Sequence, residues 1–251
     1  MTAPVFLADG ERLAGPARSG SGTVVLDGPE GRHAVSVKRL RPGEEIVLTD
    51  GAGTGVAGTV ETVSGKDRLE VAVTSVRTEE EPRPRVTVVQ ALPKGDRGEL
   101  AVEMLTETGA DRIVPWAASR CVTQWKGERG VKSLGKWRST AREAGKQARR
   151  LRFPEVADLA TTAQVAELLR DADLGIVLHE EGGDPLAAAE LPAGGGIVLV
   201  VGPEGGVSPQ ELTSFAEAGG QPFRLGPTVL RTSTAGTAAT ALLLGRTGRW
   251  S

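Results

Sequence analysis

Residues 77–85, RTEEEPRPR, hold two prolines and no apolar residue, and the hydrophobic period differs on either side of them. Before this stretch the apolar runs are short and strand-like: TVVL at 23–26, EIVLT at 45–49, VAGTVETV at 56–63 and LEVAVTSV at 69–76. Asp50-Gly51 between two of them is a hairpin turn signal, and only His33 to Leu40 reads as a short helix. Residues 1–75 are therefore expected to form a small antiparallel barrel or sandwich, with 76–85 as a linker. After the linker, VTVVQAL (86–92) is a continuous apolar strand, RGELAVEMLTETG (97–109) a helix closed by Gly109, and IVPW a strand. TAQVAELLR, GIVLH, GIVLVVG, PQELTSFAEAG, PFRLG and an Ala/Leu-rich terminal helix continue the alternation. Fully apolar strands alternating with helices predict an α/β domain over 86–251, its mainly parallel sheet covered on both faces.

Composition narrows the chemistry. The chain has 251 residues, 39% hydrophobic and 25% charged, a globular mixture. Its longest apolar runs, Ile197 to Val201 and Ala238 to Leu244, fall far short of the roughly 20 residues of a membrane helix. The opening MTAPVFLADGERLAG lacks the pattern of a signal peptide, so a soluble, cytoplasmic protein is expected. One cysteine, Cys121, and two histidines, His33 and His179, argue against a disulfide, a thiolate cage or a His-rich metal site, so no metal is expected.

A net charge of −2 hides an asymmetry. Residues 126–152 carry ten Lys or Arg against two Asp or Glu, an excess of eight in an otherwise acidic chain. Within them Leu134, Trp137, Ala141, Ala144, Ala148 and Leu151 recur at spacings of three and four, one buried helical stripe. Arg142, Lys146, Arg149 and Arg150 project elsewhere and are candidates to meet phosphates, against the alternative of a solvated face. Arg120 joins them. His33 and Arg39 lie in a second basic neighbourhood, where RNA contact and ordinary surface both fit.

Three loops follow the C-terminal ends of apolar strands, where open α/β sheets bind ligands. They are Leu178-His179-Glu180; Gly202-Pro203-Glu204-Gly205-Gly206, preceded by Val201; and Leu225-Gly226-Pro227-Thr228-Val229-Leu230-Arg231-Thr232-Ser233-Thr234-Ala235. Glycines let backbone approach a ligand closely. Ser208, Pro209 and Glu211 form a helix start with a capping box. The second loop matches neither phosphate-binding fingerprint, and Glu204 would repel a phosphate; a neutral or cationic nucleoside fits better. A tight strand–helix turn is the competing reading of this loop. No serine has a hydrolase elbow context, and Cys121 has no nearby histidine.

GPEGGVSPQEL, LGPTVLRTSTA and EAGKQARRLRFPEV together resemble the bacterial ribosomal small-subunit RNA (uridine-N3) methyltransferases of the SPOUT superfamily, and KGDRGELAVEMLTETGADRIVPWAASR resembles that family's first strand–helix–strand unit. The resemblance spans the chain. It implies a PUA-like, RNA-binding β-barrel at 1–75 and a trefoil-knotted methyltransferase domain at 86–251. It also implies a homodimer acting on 16S ribosomal RNA or the assembled small subunit. The three loops would hold S-adenosylmethionine through Leu178, His179, Glu180, Val201, Gly202, Pro203, Glu204, Gly205, Gly206, Leu225, Gly226, Val229, Leu230, Thr234 and Ala235. The reaction implied is methyl transfer to N3 of an unpaired uracil. Arg231 is the catalytic candidate, stabilising charge on the uracil carbonyls. Ser233 stands where many members carry an acidic residue, so a carboxylate role there does not transfer. The alternatives are a non-catalytic RNA-binding assembly factor of the same fold, or the same enzyme class acting on another RNA. A dinucleotide-dependent oxidoreductase is disfavoured, because ALPKGDRGE after the first strand of the domain has no Gly-rich fingerprint.

Overall fold

The computed structural model describes residues 3–250. The chain divides into two compact units. One comprises the chain up to Glu81 together with Gly145–Phe153; the other comprises Pro82–Ala144 and the chain from Pro154 onward.

In the first unit the elements are β1 (Val5–Leu7), α1 (Gly10–Ser19), β2 (Thr23–Leu26), α2 (Gly28–Arg32), β3 (Glu45–Thr49), β4 (Thr54–Ser64) and β5 (Arg68–Thr78). A π-helical turn at His33–Val37 follows α2, where the sequence predicts a short helix. The sheet order is β1-β3-β4-β5-β2, antiparallel except for the β1–β3 pair. Alternation in the strands turns Ile46, Leu48, Val56, Leu69 and Val71 inward against Phe6 and Leu13. Asp50 Oδ1 shapes the predicted β3–β4 turn by accepting from the N–H groups of Ala52 (2.7 Å) and Thr54 (2.9 Å). Helix α1 has no counterpart in the sequence reading: GERLAGPARS contains two glycines and an internal proline, and only Leu13 is buried.

The second unit holds β6 (Arg85–Ala91), α3 (Arg97–Thr108), β7 (Arg112–Trp116), α4 (Gly127–Gln147), β8 (Glu155–Val156), α5 (Thr162–Arg170), β9 (Leu174–Leu178), β10 (Asp184–Pro185), β11 (Gly196–Val201), α6 (Pro209–Glu217), β12 (Gly220–Arg224) and α7 (Thr232–Arg246). A single 3-10 turn, Leu186–Ala188, follows β10. All seven strands run parallel in the order β10-β12-β9-β11-β6-β7-β8. The interior strands β6 and β11 are buried along nearly their whole length, as expected for strands covered on both faces. Helices α3 and α7 pack on each other, as do α5 and α6. The chain builds β6, β7 and β8 to one side, then returns to lay β11 between β9 and β6. The strand order reverses there, at the point where doubly wound sheets leave a crevice.

Two boundaries differ from the sequence reading. Strand β5 continues to Thr78, inside the stretch read as a linker. Helix α4 ends at Gln147 and not near Leu151, because Arg149 adopts a left-handed φ of 57°. The stretch Gly145–Phe153 then belongs to the first unit: Leu151 O accepts from Thr49 Oγ1 (2.9 Å) and Gly53 N (3.0 Å). No helix among the described residues is long and apolar enough to cross a membrane.

Candidate functional site

The C-terminal ends of β12, β9, β11, β6 and β7 lie side by side in the sheet, and the loops that leave them surround a cavity of about 1260 Å³ within the second unit. Leu178, His179 and Glu180 enter it from β9, and Val201 to Gly206 from β11. Leu225, Gly226, Val229, Leu230, Arg231 and Ala235 enter from the β12–α7 segment. All the residues predicted from the three loops line this space except Thr234. Its hydroxyl turns back to donate to Arg231 O at 3.1 Å, an ordinary contact of a helix first turn.

Local chemistry fixes the GPEGG loop. Gly206 N donates to Pro203 O (2.9 Å), closing a turn in which Gly206 has φ of 72°, a conformation costly for any residue with a Cβ. Ser208 and Glu211 form the predicted capping box at the start of α6. Glu204 Oε1 accepts from Lys94 N at 3.1 Å, joining the loop after β6 to the GPEGG loop. Arg120 Nη1 donates to Gly205 O at 3.0 Å. The third loop is tied in by Thr232, whose hydroxyl donates to Gly202 O at 2.6 Å.

Beneath the loop sits a buried carboxylate. Glu211 is 4% exposed and accepts from Ser119 N (2.8 Å), Ser119 Oγ (3.0 Å), Ser208 N (2.9 Å), Ser208 Oγ (2.8 Å) and Thr162 Oγ1 (3.2 Å). Burial pushes its pKa up, but the donors from Ser119 and Ser208 together outweigh burial and hold it below the ordinary glutamate value. Cys121 is buried, and burial raises its thiol pKa, which makes it a packing residue and not a nucleophile.

Arg231 is exposed, precedes α7 as its cap residue and lines the cavity. Ser233 is 3% exposed and does not line the cavity, so it contributes nothing to the wall. His179 Nδ1 accepts from Glu181 N (3.2 Å), a local turn contact. Lys94, Arg97, Val122, Pro185 and Arg224 also line the cavity and were not singled out from sequence. The same strand-end rule that marked the three loops would have marked Lys94 and Arg97, which directly follow β6.

The residues read as RNA contacts separate. Arg120 lines the cavity; Arg39, Arg142 and Arg149 are exposed. His33 is partly buried, with its ring edge-on to Phe6 at 5.6 Å. Lys146 corrects the sequence reading: it is 7% exposed, and its Nζ donates to Glu30 Oε1 at 2.8 Å inside the first unit. Arg150 is half-buried, and its Nε donates to Arg152 O at 2.8 Å.

Comparison with known proteins gives this geometry a family. A model of the RNA methyltransferase domain matches residues 79–244, and one of the RNA methyltransferase PUA domain matches 26–74. A ribosomal RNA small subunit methyltransferase E of Mycobacterium bovis is 44% identical over 90% of this chain and 87% of its own length. The chain belongs to the ribosomal RNA small subunit methyltransferase E family. The Bacillus subtilis member is 32% identical over 85% of this chain and 86% of its own. The crystal structure of the Neisseria gonorrhoeae member, bound to S-adenosyl methionine, superposes with a TM-score of 0.84 at 29% identity, covering 98% of each chain. The parallel sheet and the N-terminal PUA domain are those of the family, and the chain is an RNA methyltransferase by descent.

Proposed function

We propose that this chain methylates N3 of a specific uridine in 16S ribosomal RNA, free or within the small ribosomal subunit, with S-adenosylmethionine as donor. The observation that carries this reading is the convergence of three loops on one cavity in a chain so close to a ribosomal RNA methyltransferase. The lining fits the donor. Glycine backbone and the apolar Leu178, Val201, Leu225, Val229, Leu230 and Ala235 can enclose a nucleoside, and Glu180 and Glu204 are compatible with a cation. When bound, S-adenosylmethionine supplies a methyl group already activated on a sulfonium.

The protein's own work is then orientation and exclusion of water. His179 and Pro203 line the pocket with Gly202, Gly205 and Gly206. The Thr232–Gly202 hydrogen bond holds the second and third loops in register. Arg231 presents a guanidinium that forms no ion pair with any described residue, positioned to stabilise negative charge on the uracil carbonyls as N3 gives its proton to solvent or to the RNA itself. The uracil edge must be unpaired to enter. RNA contacts are assigned, within the second unit, to Arg120 and Arg142 and, within the first unit taken by itself, to Arg39 and Arg149, with His33 and Arg150 partly buried there. A homodimer is part of this reading; Val229, 79% exposed at the cavity, offers apolar surface for a second subunit to cover.

The deciding experiment is nucleoside mass spectrometry of small-subunit RNA from a deletion strain, with and without the restored gene. Loss and recovery of 3-methyluridine is the expected result, and unchanged 3-methyluridine in the deletion strain overturns the reading.

A further inference from the structure

The cavity is larger than a methyl donor needs: about 1260 Å³, against roughly 300–1,000 Å³ for a typical small-ligand pocket. Beyond the three loops, part of its wall comes from a different source. Lys94 lies in the loop after β6, Arg97 opens α3, and Arg120 lies in the loop after β7. The side chains of Lys94 and Arg97 meet no carboxylate among the described residues, and Arg120 uses Nη1 on Gly205 O only. Four other arginines of the same unit are neutralised: Arg85 and Arg112 by Glu155, Arg138 by Asp158, Arg249 by Asp111. The positive pole of the 12-residue α3 adds to the three charges, and the Asp96 side chain does not cap it. Glu204, the nearest acid of the loops, is hydrogen-bonded to Lys94 N and tethers this wall to the GPEGG loop.

We propose that Lys94, Arg97 and Arg120 form a phosphate-binding wall that grips the RNA backbone beside the target nucleotide, adjoining the GPEGG loop. This rests on the methyltransferase reading of the cavity and deepens it: the loops take a nucleoside through backbone, and the three cations that adjoin them take a polyanion. Such contacts release counterions on binding.

The test uses the full chain saturated with S-adenosylmethionine and a single-stranded fragment of small-subunit RNA containing the target uridine. Binding is followed by fluorescence anisotropy at several salt concentrations. For the double variant Lys94→Gln with Arg97→Gln, RNA affinity at low salt should fall at least about tenfold, and the salt slope by about 0.7 per lost single-strand contact. S-adenosylmethionine affinity, from calorimetry, should stay within about twofold, and the charge-conserving pair Lys94→Arg with Arg97→Lys should restore RNA binding. Arg97→Gln alone gives the same readout if the double variant fails to fold. An unchanged RNA affinity and slope, or an equal loss of donor affinity, overturns the proposal. A wild-type chain that binds this RNA with the expected slope, while 3-methyluridine persists in the deletion strain, would instead overturn the proposed function and leave the phosphate wall standing.

Discussion

Ser119 donates twice to Glu211, from its backbone N–H to Oε1 at 2.8 Å and from its hydroxyl to Oε2 at 3.0 Å. Arg120, the next residue, donates to Gly205 O, so one buried carboxylate ties the start of α6 to the segment that braces the GPEGG loop. Glu211→Gln keeps the shape but sets an amide against backbone and hydroxyl donors. It should destabilise the protein by about 1–3 kcal/mol, the cost of unsatisfied buried groups, and weaken S-adenosylmethionine binding. The pH dependence has a definite sign. The folded-state pKa is below the ordinary value, so the stabilisation is complete above the ordinary glutamate range and is lost as pH falls through the folded value. Urea titrations between neutral and acid pH should show a steeper acid loss in the wild type than in Glu211→Gln. Equal slopes would assign the acid sensitivity to other groups.

Gly206 has φ of 72°, whereas Gly205 is limited by space: a Cβ there would stand 3.2 Å from Arg120 Cβ. Gly206→Val should therefore cost more than the about 1–2 kcal/mol of a left-handed L-residue and should abolish donor binding. Gly205→Ala should be milder, because its φ is not left-handed and Arg120 Cβ (3.2 Å) and O (3.4 Å) need give way by only a few tenths of an ångström. Calorimetry on both folded variants ranks them, and the reverse order would show that space, not dihedral, limits the loop.

Why the loops were legible and other features were not comes down to range. β6, β9 and β11 announce themselves as continuous apolar runs, and a ligand site at their C-terminal ends follows from topology alone. The capping box at Ser208 and Glu211 is a four-residue pattern, so it too was readable. Glu211's other partners, Ser119 and Thr162, lie 92 and 49 residues away and leave no local mark. Lys146 looked like one more charge in a basic run because Glu30 is 116 residues distant. Helix α1 escaped because the glycines and Pro16 in GERLAGPARS argue against a helix, and burial of Leu13 overrides them. The end of α4 depends on the left-handed Arg149, a conformation no arginine advertises.

Arg231 gives the sharpest test of the chemistry. If its guanidinium meets charge that develops only as N3 is methylated, Arg231→Ala should lower kcat by about 10²–10³-fold. It should leave S-adenosylmethionine affinity nearly unchanged, since that affinity rests on the loop backbones. Single-turnover kinetics with saturating RNA separates the two quantities, and turnover within a few-fold of wild type would remove Arg231 from the reaction.

Asp111 and Arg249 form a bidentate pair, Nη1 to Oδ2 at 2.6 Å and Nη2 to Oδ1 at 3.0 Å, with side chains 4% and 14% exposed. Asp111 Oδ2 also accepts from Val86 N (2.8 Å), and Arg249 Nη1 donates to Pro84 O (3.1 Å), so the pair fastens the chain's end to the start of β6. Arg249→Ala leaves a buried carboxylate without its counter-charge and should cost about 3 kcal/mol. Arg249→Lys should recover only part of this, because an ammonium cannot reproduce the fork. Thermal denaturation of both variants checks the order; equal stability of Arg249→Ala and wild type would mean the terminal segment contributes nothing to the fold.

Lys146 and Arg142 lie four residues apart in the same basic run, yet the structure gives them opposite roles. Lys146 is buried against Glu30, whose other oxygen accepts from Leu7 N at 3.2 Å. Arg142 is exposed. Lys146→Gln should therefore behave as a core substitution. It leaves the half-buried Glu30 carboxylate short of its partner and should destabilise the protein by about 2 kcal/mol, below the 3–5 kcal/mol of a fully buried pair because Glu30 retains water contact. Its RNA salt slope should match the wild type, since a lysine already paired with a carboxylate releases no counterion from a phosphate. Arg142→Gln should do the converse: stability within about 0.5 kcal/mol, and a salt slope smaller by up to about 0.9 on a duplex-like site. Urea denaturation and RNA binding across a salt series, run on both variants, give four numbers. A salt slope lowered by Lys146→Gln, with stability unchanged, would show that the ion pair with Glu30 opens when RNA binds and that Lys146 transfers to a phosphate.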